Sequence, residues 1–375
     1  MRDVFVTTHT PAVGSGHSMR SYGIVRALAQ HRPVDLLYVR FDASEPHPVY
    51  RAIDGVALHE VESSRGARRL ITYAAARAAR VPAWVARGIS PELAAAATRL
   101  AAAPDSGRVI ADGPAGFATL ARLARRRPVI YNAHNLESTF RHELTERGAR
   151  ERELLRSFER GVLEAAAESW MVSHADLEGA RELYPGARLR YVPNVVDAAA
   201  ITPAAGAANA TRNVLFVATF TYPPNRQALR FLVDEVLPRV WQQLPDARLT
   251  VAGTGLSEPP SSDARVRALG FVAELDAVYA EASCAVVPLL QGGGTPLKLV
   301  EALAHGVPVV ATARAAAGLE VRDGEHCLIA DGAEAFAAAL VSVLRDGAPE
   351  IGRRGRELAL ERYSIEALGR LLSER

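Results

Sequence analysis

Residues 291–312 read QGGGTPLKLVEALAHGVPVVAT. This stretch contains residues that physically favour the start of a helix and others that favour its end. Thr295 is a suitable N-cap and Pro296 suits the first helical turn, which together predict a helix over residues 296–305. Gly306 can adopt the left-handed conformation that ends a helix, and the β-branched run after it predicts a strand. Since strand-like residues also precede the stretch, the sequence indicates a βαβ unit of a parallel sheet.

The glycines ahead of this helix predict an anion site. Gly292, Gly293 and Gly294 leave bare backbone N–H groups at the positive end of the helix dipole, which favours a bound phosphate. Lys298 and Glu301 are three residues apart and share one helix face. A cation near phosphates and a carboxylate near a ribose fit a nucleotide diphosphate. The alternative is that Lys298 and Glu301 form an ordinary exposed ion pair and the glycines only turn the chain.

Short β-branched runs alternate with amphipathic stretches along the whole chain, which predicts α/β architecture with parallel sheets. In the first half the predicted strands are 4–7, 34–39, 108–111, 129–132 and 169–172. In the second half they are 214–218, 248–252, 265–269, 285–288, 307–311 and 326–329. The pattern therefore predicts two Rossmann-like domains, with ligands at the carboxyl ends of the strands.

The length of 375 residues also favours two domains over one. Residues 198–212 are poor in large apolar side chains and predict a linker between a first domain, 1–197, and a second, 213–350. The closing residues 351–375 have a helical pattern and no further strand, and we expect them to pack back across the first domain.

Composition excludes several functional classes. The chain has 44 Lys and Arg residues and 42 Asp and Glu residues, so its formal charge is only +2. This charge creates no strong positive potential that would attract nucleic acid. Cys284 and Cys327 are the only cysteines and cannot form a disulfide framework or a Cys-based zinc site. The N-terminal residues lack a signal-peptide pattern, and charged residues interrupt every apolar run before it could span a bilayer. We therefore expect a cytoplasmic protein.

The first predicted strand is followed by VGSGHS, residues 13–18, which opens a helix over residues 19–29. A dinucleotide-binding fingerprint would place another small residue at Met19, so NAD binding fits poorly. Arg20 could contact a phosphate or an acceptor, or lie on a solvated helix face. His134 follows the strand at 129–132, and Asp112 follows the strand at 108–111 and could be either an acceptor contact or a turn residue.

The segment GGGTPLKLVEALAHGVPVV resembles the donor-site signature of the retaining GT-B glycosyltransferases of family 4. The likeness extends in the family's order through VIYNAHNLES, MVSHADLEGARELYP, YVPNVVD, VLFVATFTYPPN, LPDARLTVAGTG and DGEHCLIAD. It implies a GT-B fold, with two Rossmann-like domains facing a cleft, an acceptor-binding first domain and a donor-binding second domain. It also implies a nucleotide-diphosphate sugar, such as a UDP- or GDP-sugar, as co-substrate, and no metal or other cofactor.

The resemblance assigns roles to single residues. Family members commonly carry two glutamates with seven residues between them; Glu301 matches the second, which binds the donor ribose, whereas Gly293 replaces the first. Many relatives have an Arg and a Lys in the segment VATFTYPPN, where this chain has neither, so Lys298 is the best remaining cation for the leaving diphosphate and Arg226 a weaker candidate. The implied donor-binding set is Gly14, Ser15, Gly16, Phe271, Val272, Gly292, Gly293, Gly294, Thr295, Lys298 and Glu301.

The implied catalytic residues are His134, Lys298 and Glu301, and the implied acceptor contacts are Arg20, Asp112 and His134. In the family the acceptor hydroxyl attacks from the face that the diphosphate leaves, and the protein positions the reactants and stabilises charge. Two alternatives remain: a sugar epimerase or phosphorylase of the same fold, and a non-catalytic partner that binds nucleotide sugars.

The sequence does not identify the acceptor, for which a sugar, a small molecule and a lipid-linked molecule are the candidates. The Arg-rich residues 65–87 could touch a membrane surface or an anionic acceptor, although most such stretches are solvated faces. Since the Ala-rich sequence offers a small apolar face, we expect membrane contact to be at most peripheral.

Overall fold

A computed structural model describes residues 1–41, 44–139, 148–204, 212–256, 258–292 and 295–374. They form two units: the first comprises Met1–Asn194 and Leu368–Arg375, and the second comprises Val195–Ala367. Both units are α/β structures built around a parallel sheet.

The first unit has a seven-stranded sheet in the order β3-β2-β1-β4-β5-β6-β7. Its strands are β1 Arg2–Thr7, β2 Val34–Val39, β3 Val56–Val61, β4 Ser106–Asp112, β5 Ile130–Asn132, β6 Glu168–Met171 and β7 Leu189–Tyr191. Every neighbouring pair is parallel. Because helices cover both faces of such a sheet, its inner strands are buried along their whole length rather than at alternate residues, as β2 shows.

The helices of the first unit are α1 Gly16–Ala29, α2 Ala67–Ala78, α3 Ala83–Ala86, α4 Pro91–Ala101, α5 Gly113–Ala124, α6 Ala149–Ala165 and α7 His174–Leu183, with a 3-10 turn at Pro48–Tyr50. The core beneath them combines aliphatic strand residues with the helix residues Leu93, Phe117 and Leu163.

The second unit has a six-stranded parallel sheet in the order β10-β9-β8-β11-β12-β13. Its strands are β8 Asn213–Val217, β9 Arg248–Ala252, β10 Val266–Gly270, β11 Cys284–Val287, β12 Val309–Ala311 and β13 Leu328–Ile329. Its helices are α8 Pro223–Arg230, continued by a π-helical segment Phe231–Val236 and α9 Leu237–Gln243, then α10 Asp276–Ala280, α11 Leu297–Ala304, α12 Ala313–Ala316, α13 Ala333–Asp346 and α14 Pro349–Arg362.

A final helix, α15 Ile365–Ser373, begins in the second unit, and its residues from Leu368 belong to the first. Arg108 on β4 donates a hydrogen bond to the carbonyl oxygen of Leu372 at 2.7 Å. Gly369 lies so close to Gln30 that an added Cβ would be 2.2 Å from the side-chain oxygen of Gln30. The prediction that the C-terminal residues return to the first domain is therefore confirmed.

Strand order reverses at β1 and β4 in the first sheet and at β8 and β11 in the second. In open α/β sheets, the crevice beyond such a reversal is where ligands bind. The Gly14–Gly16 loop follows β1 and Asp112 ends β4, while the glycine loop at residue 292 follows β11. Both sheets thus place predicted site residues at their switch points.

The predicted two Rossmann-like sheets are confirmed, and each of the eleven strand predictions overlaps an observed strand. Two strands were missed: β3 is an edge strand of half-buried residues, and β7 has only three residues. The predicted linker, 198–212, falls partly on residues 205–211, which lie outside the described residues. Its beginning packs on the second unit, where Ala198 is fully buried.

Candidate functional site

The helix α11 begins one residue later than predicted, and its N-cap is Pro296 rather than Thr295. Thr295 is buried, and its hydroxyl points to the carbonyl oxygen of Gly318 at 3.5 Å, so it cannot cap the helix as we predicted. The C-terminal prediction is correct: Gly306 has φ +73° and its N–H bonds to the Leu303 carbonyl at 2.9 Å.

Lys298 is the single lysine of the chain, which otherwise uses arginine as its long cation. It is half-buried in the first turn of α11, which follows the glycine loop, and its Nζ donates to Oδ1 of Asn225. The ammonium also faces the ring of Phe216 at 5.6 Å from the centroid. Burial lowers the pKa of Lys298 to about 7, and among the described residues no carboxylate pairs with it. An ammonium held without an anion is suited to an anionic ligand.

Asn225 links this lysine to the loop after β8. Its amide nitrogen donates to the carbonyl oxygen of Thr219 at 2.8 Å, which leaves Oδ1 as the acceptor for Lys298. Arg226, the weaker cation candidate, donates to the carbonyl oxygens of Phe220 at 2.8 Å and Thr221 at 3.1 Å. The guanidinium of Arg226 therefore braces the loop.

Glu301 does not form the ion pair with Lys298 that the alternative interpretation requires; among the described residues its carboxylate has no hydrogen-bond partner. Burial, and then the charge of Asp276, raise the pKa of Glu301 to about 7. The next turn carries His305, whose ring stacks on Tyr279 with centroids 3.9 Å apart. A half-buried, unpaired carboxylate can accept hydrogen bonds from a ligand's hydroxyl groups.

Gly292 has φ +115°, and Nε of Arg314 donates to its carbonyl oxygen at 2.6 Å. An added Cβ at Gly292 would be 3.4 Å from the hydroxyl of Tyr222, so the loop lies against the start of α8. Sequence analysis missed Arg314 because only the fold brings α12 beside this loop. Gly293 and Gly294, also predicted to bind the donor, lie outside the described residues.

Phe271 and Val272, predicted to read the donor base, follow β10. Phe271 is 74% exposed and Val272 is half-buried. Neither is a core residue, which was the competing interpretation. Their role in base binding remains a prediction.

In the first unit, Asp112 and His134 form a buried pair. Nε2 of His134 lies 2.8 Å from Oδ1 of Asp112, and that carboxylate also accepts from Asn132 at 2.7 Å and from Ser21 at 2.7 Å. Burial alone would raise the pKa of Asp112, but His134 and these hydrogen bonds lower it well below its usual range. The ionised carboxylate accepts a hydrogen bond from the N–H of Nε2, which leaves Nδ1 of His134 available to a ligand.

The backbone around this pair leaves no space for a larger residue at Gly113. Its φ is +69°, and an added Cβ would be 3.1 Å from Cε1 of His134. The segment after His134 is held by Glu159, which accepts from the N–H groups of Glu137 at 2.6 Å and Ser138 at 3.3 Å. Burial raises the pKa of Glu159 to about 7. Sequence analysis found neither this carboxylate nor its role, because it lies on α6, remote in sequence.

The loop after β1 contributes Ser15 and two further histidines. Ser15 is the N-cap of α1, where its hydroxyl accepts from the N–H of Ser18 at 3.4 Å, and Gly14 has φ +99°. His17 stacks beside His134 with centroids 5.9 Å apart, and surrounding protein atoms together with His134 and His9 lower the pKa of His17.

A pocket of about 100 Å³ opens beside this loop. It is lined by His9, Thr10, Ser15, His17, Tyr50 and Asp112, among others. An added Cβ at Gly14 or Gly16 would meet no atom within 4 Å, so the loop leaves room for a ligand.

Arg20 is 2% exposed, and its guanidinium donates to the carbonyl oxygens of Val192 at 2.8 Å and Trp170 at 3.2 Å and to the side chain of Asn194 at 3.1 Å. A group enclosed in this way cannot reach a ligand, so the structure gives Arg20 a structural role in place of the predicted acceptor contact. The sequence could not show this, because the carbonyl groups belong to distant strands.

Within the described ranges, no group of three or more His, Cys, Asp or Glu side chains is arranged to hold a metal ion. The same part of the chain contains no helix long and apolar enough to cross a membrane.

Comparison with known proteins identifies the second unit. Residues 211–346 match the family model described as Glycosyl transferases group 1. A phosphatidyl-myo-inositol mannosyltransferase from Mycobacterium leprae is 34% identical over 167 residues, which is 41% of this chain and 44% of that protein. An uncharacterized protein in the cps region of Klebsiella pneumoniae is 30% identical over 165 residues, covering 40% and 42%. The chain thus spans less than half the length of the curated relatives it matches.

Solved structures extend the likeness to the whole fold. Sucrose-phosphate synthase from Thermosynechococcus elongatus has a TM-score of 0.73 at 18% sequence identity, covering 100% of this chain and 97% of that one. HepE from Anabaena, crystallised with UDP and glucose, has a TM-score of 0.72 at 13% identity, covering 100% and 98%. Identities this low establish architecture alone. The chain therefore has the GT-B fold, and residues 211–346 of its second unit match the model of the family of glycosyl transferases group 1.

Proposed function

We propose that the protein transfers a hexosyl group from a nucleotide-diphosphate sugar to an acceptor hydroxyl, with retention of the anomeric configuration and without a metal ion. The observation that carries the proposal is Lys298, a cation without a carboxylate partner beside the glycine loop at a switch point of the second sheet. The relatives support it, since one is named a mannosyltransferase and another protein of this fold was crystallised with UDP and glucose.

In this proposal the second unit holds the donor. Lys298 neutralises the diphosphate as negative charge develops on the leaving group, and Glu301 accepts hydrogen bonds from the ribose hydroxyls. Backbone N–H groups of the glycine loop donate to the phosphates. UDP- and GDP-activated hexoses are the donors we favour.

The first unit takes the acceptor. The Asp112 carboxylate orients His134 so that Nδ1 can bind a sugar hydroxyl, and the open space at Gly14 and Gly16 leaves room for the acceptor. The acceptor oxygen forms the new glycosidic bond on the face from which the diphosphate departs, and its proton passes to the departing diphosphate oxygen. We place this reaction in the cytoplasm, where nucleotide sugars are made.

A panel of nucleotide sugars tests the proposal. A binding donor raises the melting temperature of the native protein in proportion to ln(1 + [L]/Kd), and turnover releases nucleoside diphosphate. Lys298→Met is expected to weaken donor binding by about 100-fold, the loss of a charge-assisted contact worth about 3 kcal/mol. Arg239→Met, which removes an exposed cation of α9, is the matched control and should leave binding unchanged. Binding with no turnover on any donor would instead support a non-catalytic nucleotide-sugar binder.

A further inference from the structure

The helix α2 turns its apolar stripe toward solvent. Seven residues of the helix are exposed: Arg68 and an apolar stripe at the helical spacing i, i+3, i+4, i+7, i+8 and i+11, which comprises Ala67, Leu70, Ile71, Ala74, Ala75 and Ala78. Leu70 is 69% exposed and Ile71 is 68% exposed, while Ala76 is the one buried residue of the helix. A helix on a globular protein normally buries such a stripe against the core.

The opposite, more polar face fixes this orientation. Arg69, Thr72, Tyr73 and Arg77 are the half-buried residues of the helix. The guanidinium of Arg69 lies over the ring of Phe41, 4.1 Å from its centroid, and donates to the carbonyl oxygen of Arg87 at 3.5 Å. These contacts of Arg69 hold α2 on the first unit in a defined orientation. The apolar stripe is therefore exposed as a consequence of how the helix packs.

Positive charge surrounds the stripe. Residues 65–87 contain six arginines and no aspartate or glutamate, in a chain whose formal charge is only +2. Arg65, Arg68, Arg80 and Arg87 are exposed, and none of the six pairs with a carboxylate in the part of the chain that the structure describes. Cations that rim an apolar stripe are arranged for a partner with an apolar interior and an anionic surface.

We propose that α2 docks on an anionic lipid surface. The helix lies in the plane of the interface, Leu70 and Ile71 enter the acyl boundary, and the exposed arginines bind lipid phosphate groups with their planar donor forks. A second copy of the chain fits less well, because pairing two such stripes would bring the arginines of both copies together. At 12 residues the helix is too short to span a bilayer, so the contact is peripheral.

Vesicle co-sedimentation of the full chain tests this docking. One set of vesicles contains phosphatidylcholine alone, and the other contains about a third phosphatidylglycerol, to supply a surface potential. The wild type is expected to bind the anionic vesicles about tenfold more tightly or better, and to lose that preference as salt shortens the screening length. Equal binding to both vesicles would overturn the proposal.

Two double variants separate the apolar and charged contributions. Leu70→Gln with Ile71→Gln removes the apolar contact, and Arg68→Gln with Arg80→Gln removes half of the exposed rim; each should reduce partitioning about tenfold. The matched control is Arg353→Gln with Arg354→Gln, which removes two exposed arginines that pair with Glu350 on α14. Glutamine favours a helix and all these positions are surface positions, so melting temperatures should not change.

If the Leu70 and Ile71 variant binds vesicles like the wild type, the proposal is wrong. Sedimentation velocity gives a second check: a wild-type dimer that the same variant abolishes would assign the stripe to a second copy and refute lipid docking. Neither result depends on sugar transfer, so docking and the proposed activity can fail separately.

Discussion

Donor affinity should peak near pH 7 and fall on both sides. Burial lowers the pKa of Lys298 to about 7, and burial with the charge of Asp276 raises the pKa of Glu301 to about 7. The diphosphate requires the charged ammonium, which is lost as pH rises through 7. The ribose requires the ionised carboxylate, which is lost as pH falls through 7. A nucleotide-diphosphate sugar has no group that titrates in this range, so the pH dependence belongs to the protein.

The size of the effect follows from these two pKa values. With both near 7, about a quarter of the protein carries the ammonium and the carboxylate together at pH 7. That competent fraction falls about threefold one pH unit away on either side and about 25-fold two units away, and the apparent Kd rises by the same factor.

Calorimetric titration with UDP-glucose, or with whichever donor of the panel binds, measures this profile. Lys298→Arg keeps its charge and should abolish the alkaline fall, whereas Glu301→Gln cannot ionise and should abolish the acid fall at a lower overall affinity. Because Lys298 is the single lysine, lysine-selective isotope labelling gives one ε-amine NMR signal whose titration reports its pKa directly. An affinity that is flat between pH 5.5 and 8.5, about 1.5 units on each side, would refute the reasoning.

Three other substitutions have defined outcomes. Gly113→Ala places a methyl group against His134 at φ +69°. It should lower stability by roughly 1–3 kcal/mol in thermal melts and should lower turnover in initial-rate assays. Gly161→Ala, in open space on α6, is the control and should not destabilise the protein. The raised pKa of Glu159 means that its contribution to stability is present at low pH and lost as pH rises from about 4.5 to 7, by about 3 kcal/mol in all. Urea unfolding should show that slope in the wild type and not in Glu159→Gln. Arg20→Met leaves three buried hydrogen-bond acceptors without a donor and should lower the free energy of unfolding by about 2–4 kcal/mol in urea unfolding. An unchanged urea midpoint would contradict the structural role of Arg20.

The sequence predicted the two parallel sheets because inner strands such as β11 are continuous apolar runs. It missed β3, since an edge strand that includes His59 and Glu60 has neither a continuous apolar run nor clean alternation. The sequence also indicated a small apolar face within the Arg-rich residues 65–87, but a sequence cannot say which face of a helix meets the core. Only the structure shows that Leu70 and Ile71 point outward.

At the candidate site, the sequence predicted correctly those features that depend only on neighbouring residues. Gly306 was identified from its position after a helix, whereas Thr295 was misassigned because its hydroxyl bonds to Gly318, which is distant in sequence. The contacts of Asp112 with Ser21 and of Lys298 with Asn225 likewise join residues that only the fold brings together. One signal was present and unused: the chain has a single lysine among its many arginines, and it lies at the proposed donor site.

The return of α15 to the first unit has a consequence for biosynthesis. The ribosome delivers residues 368–375 only after the whole second unit has been made, yet Arg108 and Arg190 bond to carbonyl oxygens in that late segment. The first unit therefore emerges early but completes its packing late, and during translation it exposes the surface that these residues later cover. A fragment ending at Asn194 lacks them, so it should be produced with residues 368–375 supplied as a fused or added peptide.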